Sequence, residues 1–241
     1  ELYRPITQRR CYFILCKFVQ YQRNIPYTAI VEAFRGLVRQ LLGESEEELQ
    51  RWRDRILAAV GSNGGLITEV LPEVGHIIGD QPEVPKMGAL ESQNRFNYVF
   101  QNFVRVFCSP EHPLTVFLDD LQWADTASLT LIQGLLTDRQ TGYLLVLGAY
   151  RSKEVDAAHP LMLTLEALRS AGTRPRILAL EPLTAIHGGQ LLSDTLHQPG
   201  AAIADLTALV MEKTNGNPLF VSQFLKTLCD RHLLTFDTEQ R

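Results

Sequence analysis

The chain has 241 residues, with 23 Lys and Arg against 27 Asp and Glu and a formal net charge of −4, which suits one large globular domain or one domain with a small helical addition. Its basic residues are scattered along the sequence rather than gathered in one segment, which argues against direct contact with nucleic acid. No apolar stretch approaches the roughly 20 residues of a membrane-spanning helix, so we predict a cytoplasmic protein without membrane contact.

The cysteines and histidines form no metal-binding pattern. Cys11, Cys16, Cys108 and Cys229 contain no Cys-x-x-Cys pair and lie in apolar segments, which is typical of small buried residues in a reducing compartment. The six histidines are dispersed, without a His-Glu-x-x-His motif. We therefore predict no zinc site.

Strand and helix patterns alternate through the first part of the chain. An apolar run at 11–18 predicts a strand, and apolar residues at helical spacing predict helices over 27–42 and 49–60. The glycine-rich residues 61–65 end the second helix, and 66–88 is expected to be irregular and mobile, because its apolar pattern weakens and its end is rich in Gly and Pro.

A strong helical pattern follows, with Phe or Val at positions 96, 99, 100, 103, 104 and 107. This stripe covers one face of a helix, and an apolar stripe of this kind is typical of core packing rather than of a cofactor site.

The central motif is the apolar run 114–118, which stops at two adjacent carboxylates, Asp119 and Asp120. A helix over 127–137 and a second buried strand over 143–150, ending at Arg151, complete a strand–helix–strand unit. Such a unit is a parallel crossover, so Arg151 is expected at the same carboxyl edge of the sheet as the two aspartates.

The aspartate pair has a functional and a structural interpretation. At the carboxyl edge of a parallel sheet, where ligands bind, one carboxylate can hold Mg²⁺ and the other can orient or deprotonate an attacking water. Alternatively, Asp119 and Asp120 only terminate the strand. Asp125, which precedes Thr-Ala-Ser, is interpreted as the cap of the following helix.

Arg151 also has two interpretations. A cation at this edge can sense or stabilise a γ-phosphate. It can equally be a solvated side chain paired with Glu154.

The last part of the chain changes character. Pro160 is expected to open a short helix, and a last strand is predicted over 176–180. Helices over 184–196, 201–214 and 219–231 then follow without a strand between them, so a small helical subdomain is expected.

Residues 214–221 join the last two of these helices. Gly216 allows a left-handed helix end, and Pro218 can begin the next helix without an N–H. This local role explains both residues without a ligand.

These residues carry a resemblance. The chain resembles the STAND/AAA-type P-loop ATPases in the order of three strings, Leu118-Asp-Asp-Leu-Gln-Trp-Ala-Asp125, Gly148-Ala-Tyr-Arg151 and Asn215-Gly-Asn-Pro-Leu-Phe-Val221. Two more strings, Lys17-Phe-Val-Gln-Tyr-Gln-Arg-Asn-Ile-Pro-Tyr27 and Glu91-Ser-Gln-Asn-Arg-Phe96, resemble the ATPase module of large bacterial hybrid kinases. In those kinases a Ser/Thr kinase-like domain precedes the module, and sensor and histidine-kinase domains follow it.

The resemblance implies an α/β fold, in which a P-loop NTPase-like parallel sheet with flanking helices is followed by a small all-helical lid. We expect the ATPase core at 1–182, the lid at 183–232 and the start of a further element at 233–241. No Gly-x-x-x-x-Gly-Lys-Ser/Thr occurs in the sequence, and residues 1–5 are interpreted as the tail of an earlier element. We therefore expect a fragment that lacks the first strand and the P-loop.

The resemblance also assigns roles by position. Asp119 matches the Walker B aspartate, which binds Mg²⁺. Asp120 matches the acidic residue that activates water for hydrolysis, and Arg151 matches a residue that senses the phosphate. Gly216 and Pro218 match a motif that lets the lid close on the adenine side of ATP.

Part of the matching segment departs from the family pattern or has no assigned role. Gln20 and Arg23 receive no role, and Cys16 and Val19 replace the glycine and aspartate expected in Gly-Lys-Phe-Asp-Gln.

The implied function is that of a regulatory switch, which binds ATP·Mg²⁺, hydrolyses it slowly and acts on adjacent kinase and sensor domains of the same polypeptide. The fragment alone is expected to be inactive without the P-loop. Two alternatives stay open: a nucleotide-independent protein-interaction module, and the ATPase domain of a transcriptional regulator or another DNA-linked protein.

Overall fold

A parallel sheet organises the first part of the protein in a computed structural model, which describes residues 11–22, 25–85 and 87–234. In this part of the chain the sheet has three strands in the order β1 (Tyr12–Lys17), β2 (Leu114–Asp119) and β3 (Leu144–Gly148). All pairings are parallel, with Lys17 opposite Asp119 and Leu118 opposite Gly148. The carboxyl ends of the strands therefore lie along one edge, which confirms the predicted crossover.

Helices flank this sheet, so the described chain has the α/β architecture that the resemblance implies. The helices between β1 and β2 are α1 (Thr28–Leu41), α2 (Glu46–Val60), α3 (Gly64–Val70), α4 (Pro72–Ile78) and α5 (Ala89–Arg105). Helix α6 (Thr126–Thr137) connects β2 to β3, and α7 (Pro160–Ser170) follows β3 with Pro160 in its first turn, as predicted.

An aromatic cluster joins α1, α2 and α5 on the inner side of the helices. The ring of Phe34 lies 5.4 Å from that of Phe100, and the ring of Phe107 lies 5.1 Å from Phe103 and 5.4 Å from Trp52. All five rings are buried. Large buried rings contribute strongly to core packing, so the prediction that the α5 stripe is a core face is confirmed.

The prediction of irregular structure over 66–88 is wrong for its first half. Residues 64–78 form α3 and α4, and Ile67, Leu71, Val74 and Ile78 are fully buried. Both helices are seven residues long, too short to show a clear periodic pattern, and Pro72 starts α4 at a position where proline is accepted. Residues 79–85 are free of regular structure, as predicted.

Strand β3 differs from its prediction as a buried strand. Its side chains are only partly buried, and Leu145 is 51% exposed. Strand β3 is one of the two outer strands of the described sheet, and Leu145 lies on the same face as Leu15 of β1, which is 55% exposed. An apolar run predicts a strand but does not show whether that strand is central or at an edge.

A second compact unit comprises Arg176–Arg241, after a first unit of Glu1–Pro175. Its helices are α8 (Ala185–Leu196), α9 (Ala204–Thr214) and α10 (Pro218–Asp230), and residues 176–234 contain no strand. Its buried core is formed by Leu192, Ile203, Val210 and Val221. The predicted strand over 176–180 is absent, and Leu178 and Leu180 are almost fully exposed.

Some sequence-based expectations fall on residues that the structure does not describe. These are the upstream tail at 1–5, Arg23, and residues 235–241 of the expected following element. Within the described ranges, no helix is both long and apolar enough to cross a membrane.

Candidate functional site

The carboxyl edge of the sheet brings together the charged residues at the ends of β1, β2 and β3. Lys17 and Asp119 are the last residues of their strands and are direct neighbours in the register. After Asp119 the chain turns sharply, because Asp120 adopts a left-handed conformation with φ 54° and ψ 44°. Aspartate is one of the few residues that tolerate this conformation.

The two aspartates differ in their surroundings. The Asp119 side chain is 36% exposed, whereas that of Asp120 is 14% exposed. Asp119 Oδ1 accepts a hydrogen bond from the backbone N–H of Asp120 at 3.1 Å. Asp119 Oδ2 faces the ammonium group of Lys17, which lies 3.9 Å from it and 3.9 Å from Asp120 Oδ2.

Gln122 is buried beside Asp120 and links the ends of β2 and β3. Its side-chain Nε2 donates to Asp120 Oδ1 at 2.9 Å, and its Oε1 accepts from the backbone N–H of Arg151 at 3.2 Å. The Gln122 backbone carbonyl also lies 3.2 Å from Nε2 of His159. Because Nδ1 of His159 accepts from the N–H of Leu161 at the start of α7, its Nε2 is the nitrogen that donates to Gln122.

Arg151 makes contacts that fit both of its interpretations. Its Nε lies 3.7 Å from Asp120 Oδ1, which places the guanidinium at the aspartate pair. Its Nη1 also lies 3.1 Å from Glu154 Oε1, and the guanidinium lies 5.4 Å from the centre of the Trp123 ring. The prediction that Arg151 shares an edge with Asp119 and Asp120 is confirmed, while its role as a phosphate sensor stays a prediction.

Two nearby residues have structural roles. Asp125 caps α6, as predicted, since its carboxylate accepts from the N–H of Ser128 at 2.8 Å and from its hydroxyl at 2.6 Å. Cys16 is buried directly before Lys17, and burial raises the pKa of its thiol to about 12. The Cys16 thiol therefore stays protonated at neutral pH and is not a nucleophile.

The donor set at this edge suits Mg²⁺ rather than zinc. Carboxylate oxygens are preferred magnesium ligands, and Mg²⁺ commonly binds through one or two carboxylates together with water and substrate phosphates. Asp119 and Asp120 supply two such groups. Across residues 11–22, 25–85 and 87–234, no three His, Cys, Asp or Glu side chains cluster to hold a metal by themselves.

Gly216 and Pro218 lie in the second unit, in the predicted local conformations. Helix α9 ends at Thr214 and is followed by Asn215 and Gly216, both with positive φ, and Pro218 begins α10. The backbone N–H of Leu183 donates to the carbonyl of Gly216 at 2.8 Å, and a Cβ at Gly216 would approach the carbonyl oxygen of Leu183 to 2.3 Å. This close approach requires glycine, so the local structure alone explains why residue 216 is glycine, without a ligand.

The sequence analysis assigned neither Lys17 nor Gln122 to the candidate site. Lys17 is the penultimate residue of the strand predicted over 11–18, so a parallel pairing of that strand with β2 places it close to the same edge. Gln122 lies inside the quoted motif, but a buried amide next to a carboxylate has no recognisable sequence pattern.

The comparisons with known proteins agree with this geometry. The family described as AAA ATPase domain matches residues 1–147, which is more than half of the chain. A curated protein from Dictyostelium discoideum, the hybrid signal transduction histidine kinase G, is 30% identical over 94% of the chain. The chain spans about 8% of the length of that relative. No solved structure matches at a significant level.

Proposed function

Because this chain belongs to the AAA ATPase domain family, we propose that it is a signalling ATPase module of the STAND type, which binds ATP·Mg²⁺ and hydrolyses it slowly. The observation that carries the proposal is the Asp119–Asp120 pair at the carboxyl edge of a parallel sheet, with Arg151 beside it. Ligands of open α/β sheets bind at this edge.

Each charged residue has a distinct proposed role. Asp119, the more exposed aspartate, would hold Mg²⁺, which supplies charge neutralisation to the phosphates when it is bound. Asp120, whose Oδ1 is held by Gln122, would use Oδ2 to orient and deprotonate the attacking water. Arg151 would contact the γ-phosphate by leaving Glu154, a partly exposed partner.

The second unit would act as a lid. Gly216 and Pro218 hold the α9–α10 junction in a fixed conformation, and this junction would close on the adenine side of the nucleotide. We further propose that the 241 residues alone bind ATP weakly and do not turn it over, because they contain no Gly-x-x-x-x-Gly-Lys-Ser/Thr to surround the phosphates with backbone N–H groups.

The biological setting that we propose is a multidomain kinase. The similarity to a hybrid signal transduction histidine kinase supports it. Nucleotide binding and hydrolysis would shift this module between two states that adjacent kinase and sensor domains recognise.

The test is Mg²⁺-dependent ATP hydrolysis by the full-length protein that contains this chain. Asn adopts the left-handed conformation of Asp120 readily, so Asp120→Asn removes the charge without disturbing the backbone. We expect kcat to fall by about 100-fold or more while ATP affinity stays within a few-fold. Asp119→Asn should instead raise the Mg²⁺ concentration required for activity.

Asp80→Asn is the matched control, because Asp80 is exposed and lies outside the site. Hydrolysis that Asp120→Asn leaves unchanged would contradict the catalytic role. ATP turnover by the isolated 241-residue chain, abolished by Asp120→Asn, would contradict the proposal that this chain is inactive alone.

A further inference from the structure

The ammonium group of Lys17 occupies a cation position between the two aspartates. It lies 3.9 Å from Oδ2 of Asp119 and 3.9 Å from Oδ2 of Asp120. The other oxygen of each aspartate, Oδ1, already accepts a hydrogen bond from an N–H group. The two Oδ2 atoms are therefore the oxygens that face Lys17. A divalent cation held by Asp119 would meet the Lys17 ammonium group.

The backbone of Lys17 is fixed, but its side chain can move. Lys17 is paired with Asp119 in the parallel register, and the preceding Cys16 is buried in the core. The Lys17 side chain is 61% exposed, so its ammonium can leave the aspartates without breaking the fold. At a distance of 3.9 Å and with the ammonium group in contact with solvent, these ion pairs are weak and easily exchanged.

Arg151 contacts the aspartate pair at a different oxygen from Lys17. Its guanidinium approaches Oδ1 of Asp120, on the side of Gln122, and is shared with Glu154 and the Trp123 ring. Lys17 is therefore the cation that faces both Oδ2 atoms in the described part of the chain.

We propose that Lys17 is a built-in counter-ion of the Asp119–Asp120 pair, which competes with the divalent cation that Asp119 would hold. Two cations cannot share these oxygens without strong repulsion at such a short distance. The site then resists a divalent cation alone and accepts it together with a nucleotide, because the phosphates give the displaced Lys17 ammonium a new partner. The inference rests on the proposed function, since it assigns ATP·Mg²⁺ to this edge.

The test measures Mn²⁺ binding to the 241-residue chain without nucleotide, by electron paramagnetic resonance of free Mn²⁺ at low ionic strength. Lys17→Gln should bind Mn²⁺ about three- to tenfold more tightly than the unmodified chain, because a positive charge is removed from the two carboxylates. Asp119→Asn in the Lys17→Gln background should abolish this gain. Thermal unfolding of each variant checks that it is folded.

Lys153→Gln is the matched control, because Lys153 is exposed and lies two residues after Arg151. It changes the net charge equally and should leave Mn²⁺ affinity within about twofold. Unchanged or weaker Mn²⁺ binding in Lys17→Gln would overturn the proposal, as would a gain that survives Asp119→Asn.

A second measurement addresses the nucleotide. In the full-length protein, ATP should increase Mn²⁺ affinity less strongly in Lys17→Gln than in the unmodified protein, because less repulsion has to be relieved. An equal or larger increase would contradict the role of Lys17. The proposed function is judged separately by the effect of Asp120→Asn on hydrolysis, so either proposal can fail while the other stands.

Discussion

Gln122 shows how one neutral side chain can organise charged ones at a single site. Its Oε1 accepts from the backbone of Arg151, so its amide nitrogen must face Asp120 Oδ1. This arrangement leaves Oδ2 of Asp120 toward Lys17 and the open side of the sheet. A buried amide with both ends satisfied is rigid, so Gln122 fixes which Asp120 oxygen can act on a ligand.

Cys16 makes a residue-scale prediction about pH. Burial raises the pKa of its thiol from an ordinary value of 9.0 to about 12, so between these values the unfolded chain loses a proton that the folded chain retains. The free energy of unfolding should be unaffected by Cys16 below pH 9 and should fall by about 1.4 kcal/mol per pH unit above it.

Urea unfolding with a reductant at several pH values from 8 to 10.5 measures this slope. Cys16→Ala has no thiol at this position, so its stability should decrease less steeply above pH 9 than that of the unmodified chain. Parallel slopes for the two proteins would show that the Cys16 thiol does not remain protonated in the fold.

At the scale of helices and strands, the sequence predicts the elements that are long and the strand that ends in a carboxylate. The apolar spacing over about three turns predicts helix α5, and the termination of an apolar run at Asp119 predicts β2. Helices α3 and α4 were missed because each provides two turns and contains glycine. The contact of Lys17 with Asp119 depends on the pairing of β1 with β2, which joins segments far apart in the chain and is set by the packing of the helices between them.

Leu71 tests whether α3 and α4 belong to the core. Its side chain is 0% exposed at the junction of the two helices. Leu71→Ala should lower the free energy of unfolding by about 2–5 kcal/mol, because it leaves a cavity as well as losing apolar contact. Chemical denaturation measures the change.

Leu163→Ala, in α7, is the matched control. Leu163 is 60% exposed, so the same substitution there should change the free energy of unfolding by about 0.5 kcal/mol or less. Similar losses at both positions would contradict the burial of Leu71 in the core.

At the scale of the whole molecule, the two units differ in how much apolar surface they bury. The first contains the aromatic cluster and the buried faces of β2, α1 and α5. The core of the second consists of Leu192, Ile203, Val210 and Val221 with a few partly buried neighbours. Since apolar burial is the main stabilising contribution to folding, the second unit is expected to be the less stable.

Hydrogen exchange of backbone amides checks this difference. Amides in the middle of α10 should exchange at least about tenfold faster than those in the middle of α5, because local opening of a small core requires less free energy. Mass spectrometry of peptides from Pro218–Asp230 and Ala89–Arg105 resolves the two helices. Equal protection in both helices would contradict the expected order of stability.

The outer position of β3 has a consequence for handling the protein. Within residues 11–22, 25–85 and 87–234, the side of β3 away from β2 has no strand paired to it, and Leu145 is half exposed on a face of the same strand. Such an edge can template the addition of a strand from another molecule. We therefore expect the isolated chain to aggregate as its concentration rises, and a charged residue in place of Leu145 should improve its solubility.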